Sequence, residues 1–353
     1  VNVDASPTSP ARQPPVHIIG GGLAGLAAAV ELSRHGVPVM LFEARDRLGG
    51  RASSFVDPES GATVDNCQHV GLGCCTNWLH FCRILGVSGA LRVERSLTFL
   101  DPEGRASRLA ASPLPAPLHL APAFVRLKFL TWDEKRRLAG GLWRLARLRP
   151  EEIAATESFA DWLRRHGQTE RLLARFWEVV LVSALSESLD RIDVGHARKV
   201  FVDGFLRHRR GWEVYVPTVP LDELYGTAVL NWLREHGAAV RLRSAVRRLE
   251  GDLRRITAIE LRTGERVFTE DVILAVPHHR LLDLLPSDVA AHPLLRGVER
   301  LEAAPITSLH LWFDRPITSL RQAVLIGRMS QWLFARTGPD DAPQDRLAGP
   351  SPA

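Results

Sequence analysis

The stretch Val16–His17–Ile18–Ile19–Gly20–Gly21–Gly22–Leu23–Ala24–Gly25 decides the fold. A short β-branched run ends on a glycine cluster, and Leu26 to Arg34 then reads as an Ala- and Leu-rich helix closed by Gly36. Strand, glycine turn and helix in that order are what a dinucleotide fold requires. Gly20 permits the tight turn, Gly22 admits a pyrophosphate to the backbone, and Gly25 lets helix and strand pack closely. The first-turn amides of the helix face the phosphates with the positive end of its dipole. Val37 to Phe42 is the next strand, and Glu43 stands at its end. A carboxylate there accepts hydrogen bonds from ribose hydroxyls and repels a 2′-phosphate, which disfavours NADP and leaves NAD and FAD open.

Arg45 and Arg47 lead into Leu48–Gly49–Gly50–Arg51–Ala52–Ser53. A second glycine pair so soon after the ribose carboxylate, followed by an arginine, implies another close backbone approach to a phosphate with a guanidinium beside it. NAD-dependent dehydrogenases usually lack that doublet. Ser54–Asp57 and Ala62–Asn66 then read as a hairpin over Pro58–Gly61, running into Cys67–Gln68–His69.

These pieces together resemble the amino-terminal FAD signature of flavin amine oxidases and carotenoid-type desaturases. The segment from Asp65 to His69 resembles that of the squalene-associated FAD-dependent desaturases, described as hydroxysqualene dehydroxylases. Ala184–Ser188 and Tyr215–Leu221 are similar to further pieces of that family. The resemblance implies an α/β fold: an FAD-binding Rossmann-like domain of the amine oxidase and desaturase type, with a second, mostly helical α+β substrate domain. It implies that Gly20, Gly22, Gly25 and Arg51 serve the FAD phosphates and Glu43 the ribose. Gly49 and Gly50 bring the chain near the pyrophosphate and flavin, Asp65 to His69, with Gln68 among them, lie along the isoalloxazine, and the backbone of Val246 holds the adenine. Cys67 departs from the pattern, which has glycine there; a requirement for positive φ or close approach to the ring would strain it.

The implied reaction is reductive removal of an allylic hydroxyl to give squalene. His69 is the first candidate acid, because imidazole titrates near neutrality, and Asp65 the second, with a structural role in the hairpin as its alternative. Phytoene desaturation or amine oxidation on the same fold is the other reading. Amine oxidases generally hold substrate in an aromatic cage, whereas this chain has two tyrosines, Tyr215 and Tyr225.

At 353 residues the chain suits two domains. The expected boundaries are a disordered lead-in over 1–15, FAD-domain segments over 16–95 and 216–287, substrate-domain segments over 96–215 and 288–336, and an irregular tail over 337–353. The resemblance implies a further Gly–Asp segment and a closing helix, and neither follows Arg336. A truncated chain or an altered reading frame is therefore expected, with an inactive fragment as the consequence to weigh. Four cysteines, Cys67, Cys74, Cys75 and Cys82, exclude a disulfide scaffold. Their spacing is not that of a structural zinc site, and they read as free thiols of a cytoplasmic protein.

Forty-five basic residues exceed forty acidic ones by five, and lysine occurs at Lys128, Lys135 and Lys199 alone. The excess is modest and accompanies no nucleic-acid motif, while the arginine bias is equally what a GC-rich genome produces. From Ala121 to about His208 the chain reads as mostly helical. Leu138, Leu142, Leu145 and Leu148 form a stripe with Arg136, Arg137, Arg144 and Arg147 on other faces. Two readings stay open: a core stripe with a solvated arginine face, or a helix lying peripherally on the inner face of an anionic membrane. Trp162, Phe176, Trp177 and Leu181 line an apolar pocket or simply fill the core. Val240–Arg243, Ala245–Leu249, Arg255–Leu261 and Arg266–Phe268 are expected as strands, Asp271–Pro277 as a buried strand, His278–His279 as a helix start, and Ser308–Phe313 and Gln331–Phe334 as two more strands.

Overall fold

A computed structural model describes residues 13–153 and 157–336. The start of the expected lead-in and the whole expected tail lie outside the described residues. The chain forms two compact units, one from the residues up to His69 with Asn77–Leu91 and Pro217–Ala303, the other from Val70–Thr76, Arg92–Val216 and the residues from Ala304 on.

The first unit is built on four short parallel strands. β1 (Val16–Ile19) lies between β2 (Val39–Phe42) and the strand Val272–Leu274, and β2 pairs on its far side with Ala239–Arg241. Successive side chains in a strand point to opposite faces, and two cores follow. Ile18, Val39 and Leu41 pack with Leu26, Ala29 and Val30 of α1 (Leu23–Arg34) and with Val229 and Leu233 of the helix Ala228–Glu235. Ile19 and Phe42 pack on the other side with Val246, Leu249, Ile259 and Leu261. These come from an antiparallel three-stranded sheet of Val246–Gly251, Ile256–Leu261 and Arg266–Phe268. The parallel sheet thus has helices on one face and a second sheet on the other, which explains why its strands are nearly all apolar. Leu26, Ile18 and Leu41 have no exposed surface, and each such burial is worth about 1.5–3 kcal/mol.

The second unit holds a four-stranded sheet in the order Trp332–Phe334, Gln322–Leu325, Leu97–Leu100, Ala106–Leu109, and helices that enclose one large core. Trp162, Phe176, Trp177 and Leu181 are all buried there. Phe201 stacks edge-on against Trp177 at 4.8 Å, and Trp177 Nε1 donates to Gln168 Oε1 at 3.1 Å. Core packing accounts for these four residues.

Two expectations need correction. Val272–Leu274 is half-buried, because among the described residues it is an edge strand with a neighbour on one side only. Ser308–Phe313 forms no strand; Leu309, Leu311, Trp312 and Phe313 are exposed. Its β-propensity is real, but a strand needs a ladder partner, and among the described residues it has none. The other expected strands and the helix opening at His278 are present within a few residues of their expected ends.

Candidate functional site

The turn between β1 and α1 explains its three glycines separately. Gly20 has φ +109, and a Cβ there would stand 2.4 Å from the carbonyl oxygen of Ala275. At Gly21 a Cβ would meet Glu43 Oε2 at 3.0 Å and Leu48 at 2.7 Å. At Gly22 it would meet nothing within 4 Å. The first two glycines are thus required by the protein itself, whereas the third faces open space. Gly25 serves the packing: its Cβ would lie 1.9 Å from the carbonyl oxygen of Gly20. α1 begins at Leu23 rather than Leu26, so Leu23, Ala24 and Gly25 form its first turn. Gly22 is the cap, no side chain caps it, and no acidic residue sits in that turn. Among the described residues no side chain accepts from the first-turn amides of the helix, which can therefore meet an anion.

Glu43 closes one side of this turn. Its buried carboxylate accepts from the Gly21 amide at 2.7 Å through Oε2 and from the Arg45 amide at 2.8 Å through Oε1. Each oxygen keeps a lone pair, so two hydroxyls can still be accepted. The Glu43 backbone is held between Arg241 and Ser244, through Glu43 N to Arg241 O at 2.9 Å and Ser244 N to Glu43 O at 2.8 Å. Val246 follows at once, buried at the start of its strand and paired with Leu261.

The second glycine pair lies directly on the first cluster. Gly49 N donates to Gly21 O at 2.8 Å, and a Cβ on Gly50 would stand 3.0 Å from the Cα of Gly22. Gly49 and Gly50 have φ +91 and +62, and Gly49 would in addition drive a Cβ to 2.5 Å from Ala52 O. Two glycine turns are thereby laid backbone to backbone. The Arg51 side chain is exposed and has no carboxylate partner among the described residues.

From there β3 (Ser54–Val56) pairs with β4 (Thr63–Asp65). Asp65 is buried, and its Oδ1 accepts from Ser54 Oγ at 2.7 Å and from the Leu221 amide at 3.0 Å. Ser54 Oγ in turn accepts from Asp222 N at 3.0 Å. The carboxylate therefore pins the hairpin to a segment 156 residues further along the chain. Asn66 is tied back by its amide to Ser53 O at 2.9 Å and by Nδ2 to Arg51 O at 3.2 Å. Gln68 and His69 are half-buried, with Gln68 Nε2 3.5 Å from His69 O. His69 Nδ1 lies 3.0 Å from the Cys67 carbonyl oxygen, which can only accept. The proton of the neutral ring is therefore on Nδ1, and Nε2 presents a lone pair. Cys67 does not have positive φ, so glycine's conformational freedom is not needed at that position. Burial, with the Asp65 charge behind it, pushes the Cys67 thiol up and keeps it protonated.

The structure thus brings Gly20, Gly22, Gly25, Glu43, Gly49 and Gly50 into one backbone-lined cradle, with Arg51 and Val246 at neighbouring positions in the chain. Three features escaped the sequence reading: the Ala275 carbonyl behind Gly20, Leu221 on Asp65, and the clamp of Glu43 on two amides. The Ser54–Asp65 contact was accessible in principle, since the hairpin register makes them direct partners.

An open glycine Cα, an uncapped helix end and a doubly held carboxylate are groups that could hold a dinucleotide, and their donors and acceptors suit FAD. The chain belongs to the flavin-containing amine oxidoreductase family, whose pattern it matches over residues 23–347. Among curated relatives it is 29% identical to the hydroxysqualene dehydroxylase of Sinorhizobium fredii, over 91% of this chain and 73% of that protein. It is equally 29% identical to the 15-cis-phytoene desaturase of Arabidopsis thaliana, over 90% of this chain and 57% of that enzyme. The chain spans little more than half the length of this and several other desaturases it matches. A solved protein of Pyrococcus furiosus shares the fold at a TM-score of 0.61 and 18% identity, covering 90% of this chain and 73% of the other. A putrescine oxidase does so at 0.56 and 19%, covering 78% and 61%.

Proposed function

We propose that the protein is an FAD-dependent oxidoreductase acting on a long isoprenoid, and that its reaction is the reductive dehydroxylation of hydroxysqualene to squalene. The observation that carries this reading is the course of the chain from Gly50 to His69. Asn66 is anchored on Arg51 and Ser53, so the imidazole follows within three residues of a point fixed to the second glycine turn. FAD, when bound, supplies hydride exchange with the substrate carbon. The amides of α1, Gly22, Gly50 and Arg51 hold its phosphates, Glu43 accepts from its ribose, and the Val246 backbone meets the adenine. His69, once protonated at Nε2, holds the proton that the departing hydroxyl needs to leave as water. Asp65, whose Oδ1 accepts from Ser54 Oγ and the Leu221 amide, serves as a positioning residue for the segment that carries His69.

The equal identity to a phytoene desaturase supports a second reading, an oxidative desaturation on the same site. Amine oxidation is less well supported, since one of the two tyrosines, Tyr225, is buried and accepts a hydrogen bond from Trp78 Nε1 at 2.8 Å. The proposal extends to a cytoplasmic protein resting peripherally on the inner face of the membrane, from which so apolar a substrate would arrive.

Product analysis after incubation of the FAD-loaded protein with hydroxysqualene, phytoene and simple amines decides between these. Squalene formed under reducing conditions is expected, and desaturated phytoene without squalene overturns the dehydroxylase reading. His69→Gln is expected to keep its flavin and lose most turnover; unchanged turnover removes His69 from the proton's path.

A further inference from the structure

The helix Trp132–Arg147 buries one seam and leaves an unusual face outside. Its buried residues are Glu134, Leu138, Gly141 and Leu145, with Leu138 and Leu145 in the core of their unit. Glu134 is accounted for by the Thr131 capping box and an ion pair with Arg171. On the side opposite this seam stand Trp132, 66% exposed, and Trp143, 56% exposed. They are eleven residues apart, which at about 100° per residue brings their directions within about 20° and sets them about 16 Å apart along the axis. Between them along the same face stands Arg136, with the small residues Ala139 and Gly140 beside it.

A tryptophan exposed to water is costly, and two on one line ask for an environment that repays them. The cations around them indicate which. Arg136 and Arg147 project from the same face and Arg144 from its flank, all exposed; among the described residues Arg144 and Arg147 form no ion pair, and Arg136 adds only its field at the Asp133 carboxylate that Arg137 holds. Arg137, further round, is instead taken up by Asp133 at 2.6 Å. The Arg147 guanidinium lies 4.4 Å over the Trp143 ring, and Lys135 Nζ 4.8 Å over the Trp132 ring. Lys135 also donates to the Val125 carbonyl at 2.7 Å, and Val125 adds a further exposed apolar side chain beside the first ring. Amphipathic rings flanked by exposed cations, on a helix lying along the surface, match the chemistry of an anionic lipid–water interface, with rings at headgroup depth and guanidinium groups on phosphates. Among the described residues no helix is long and apolar enough to cross a membrane, so the contact is one of lying on the surface.

We propose that the Trp132–Trp143 face of this helix docks on an anionic phospholipid bilayer. The inference deepens the peripheral-membrane part of the proposed function, and its test involves neither flavin nor turnover, so the two can fail separately. The protein is floated with phosphatidylcholine vesicles with and without phosphatidylglycerol, and its tryptophan emission is followed with brominated phosphatidylcholine in the same vesicles. Binding is expected to need the anionic lipid and to weaken with salt. Trp132→Ser with Trp143→Ser should abolish the bromine quenching, and Arg136→Gln with Arg147→Gln should weaken binding about tenfold or more. All four positions are exposed, so unchanged thermal melts are expected and serve as the folding control. Absence of binding, binding indifferent to these substitutions, or binding equal on pure phosphatidylcholine overturns the proposal. So does concentration-dependent self-association abolished by the tryptophan substitutions, which would give the face to a second copy of the chain.

Discussion

Replacing Gly22 and Gly25 by alanine, one at a time, separates what the glycine turn does for the fold from what it does for the ligand. At Gly22 the backbone is extended, with φ −76 and ψ 174, and the new methyl group would touch nothing within 4 Å. Alanine there restricts the unfolded chain, worth about 0.4–1 kcal/mol in favour of folding, and loses a helix cap preference of about the same size. The net change in stability should lie within about 0.5 kcal/mol. A phosphate resting on that Cα has no such tolerance. Displacing it by a methyl radius resembles overpacking, at about 1–3 kcal/mol, or a loss of about fivefold to a hundredfold in affinity. At Gly25 the methyl would stand 1.9 Å from the Gly20 carbonyl oxygen and 3.2 Å from Ala275 Cβ. Backbone must give way, so Gly25→Ala should lose both stability and flavin. Thermal melts and FAD titrations, followed by flavin fluorescence, read the two quantities separately. If Gly22→Ala binds FAD as the parent does, no phosphate approaches at Gly22 and the assignment of the cradle is wrong.

Asp65→Ala leaves the Leu221 amide and the Ser54 hydroxyl without their buried acceptor and should cost about 2–4 kcal/mol in chemical denaturation; Asp65→Asn, which keeps an Oδ1 acceptor, should cost clearly less. Burial holds the imidazoles of His17 and His119 below the usual histidine range, and Arg209 adds to this at His119. Their folded state then binds fewer protons than the unfolded one, so stability is full above about pH 6.5 and falls as pH drops below it. Urea melts between pH 7.5 and 5 should show that slope, and His119→Leu, which also removes two buried nitrogens lacking partners, should flatten it. A thiol reagent at neutral pH should modify Cys75 first, because it is exposed and its hydrogen bond from Cys74 lowers it to about 6. Cys82, buried and pushed up to about 11, should react last.

The glycine turn was legible because its information is local. A β-branched strand, three glycines at fixed offsets and a helix rich in alanine and leucine are neighbours in the chain as well as in space, and Glu43 follows at the end of the very next strand. The same holds for the hairpin Ser54–Asp65, whose pairing partners lie a turn away. The apolar run Ser308–Phe313 has the composition of a strand, but composition carries no address for a ladder partner, and that expectation failed.

What the residue order determined by itself was therefore the dinucleotide elbow and the family it belongs to, since short-range sterics and periodicity are written into consecutive residues. Only the tertiary structure decided that Gly20 answers to Ala275, that Asp65 is held by Leu221, and that the two tryptophans of Trp132–Arg147 face outward while Leu138 and Leu145 face in. A stripe of leucines and a stripe of tryptophans fit either side of a helix equally well. Which side meets the core depends on the residues opposite, and those arrive from distant parts of the chain.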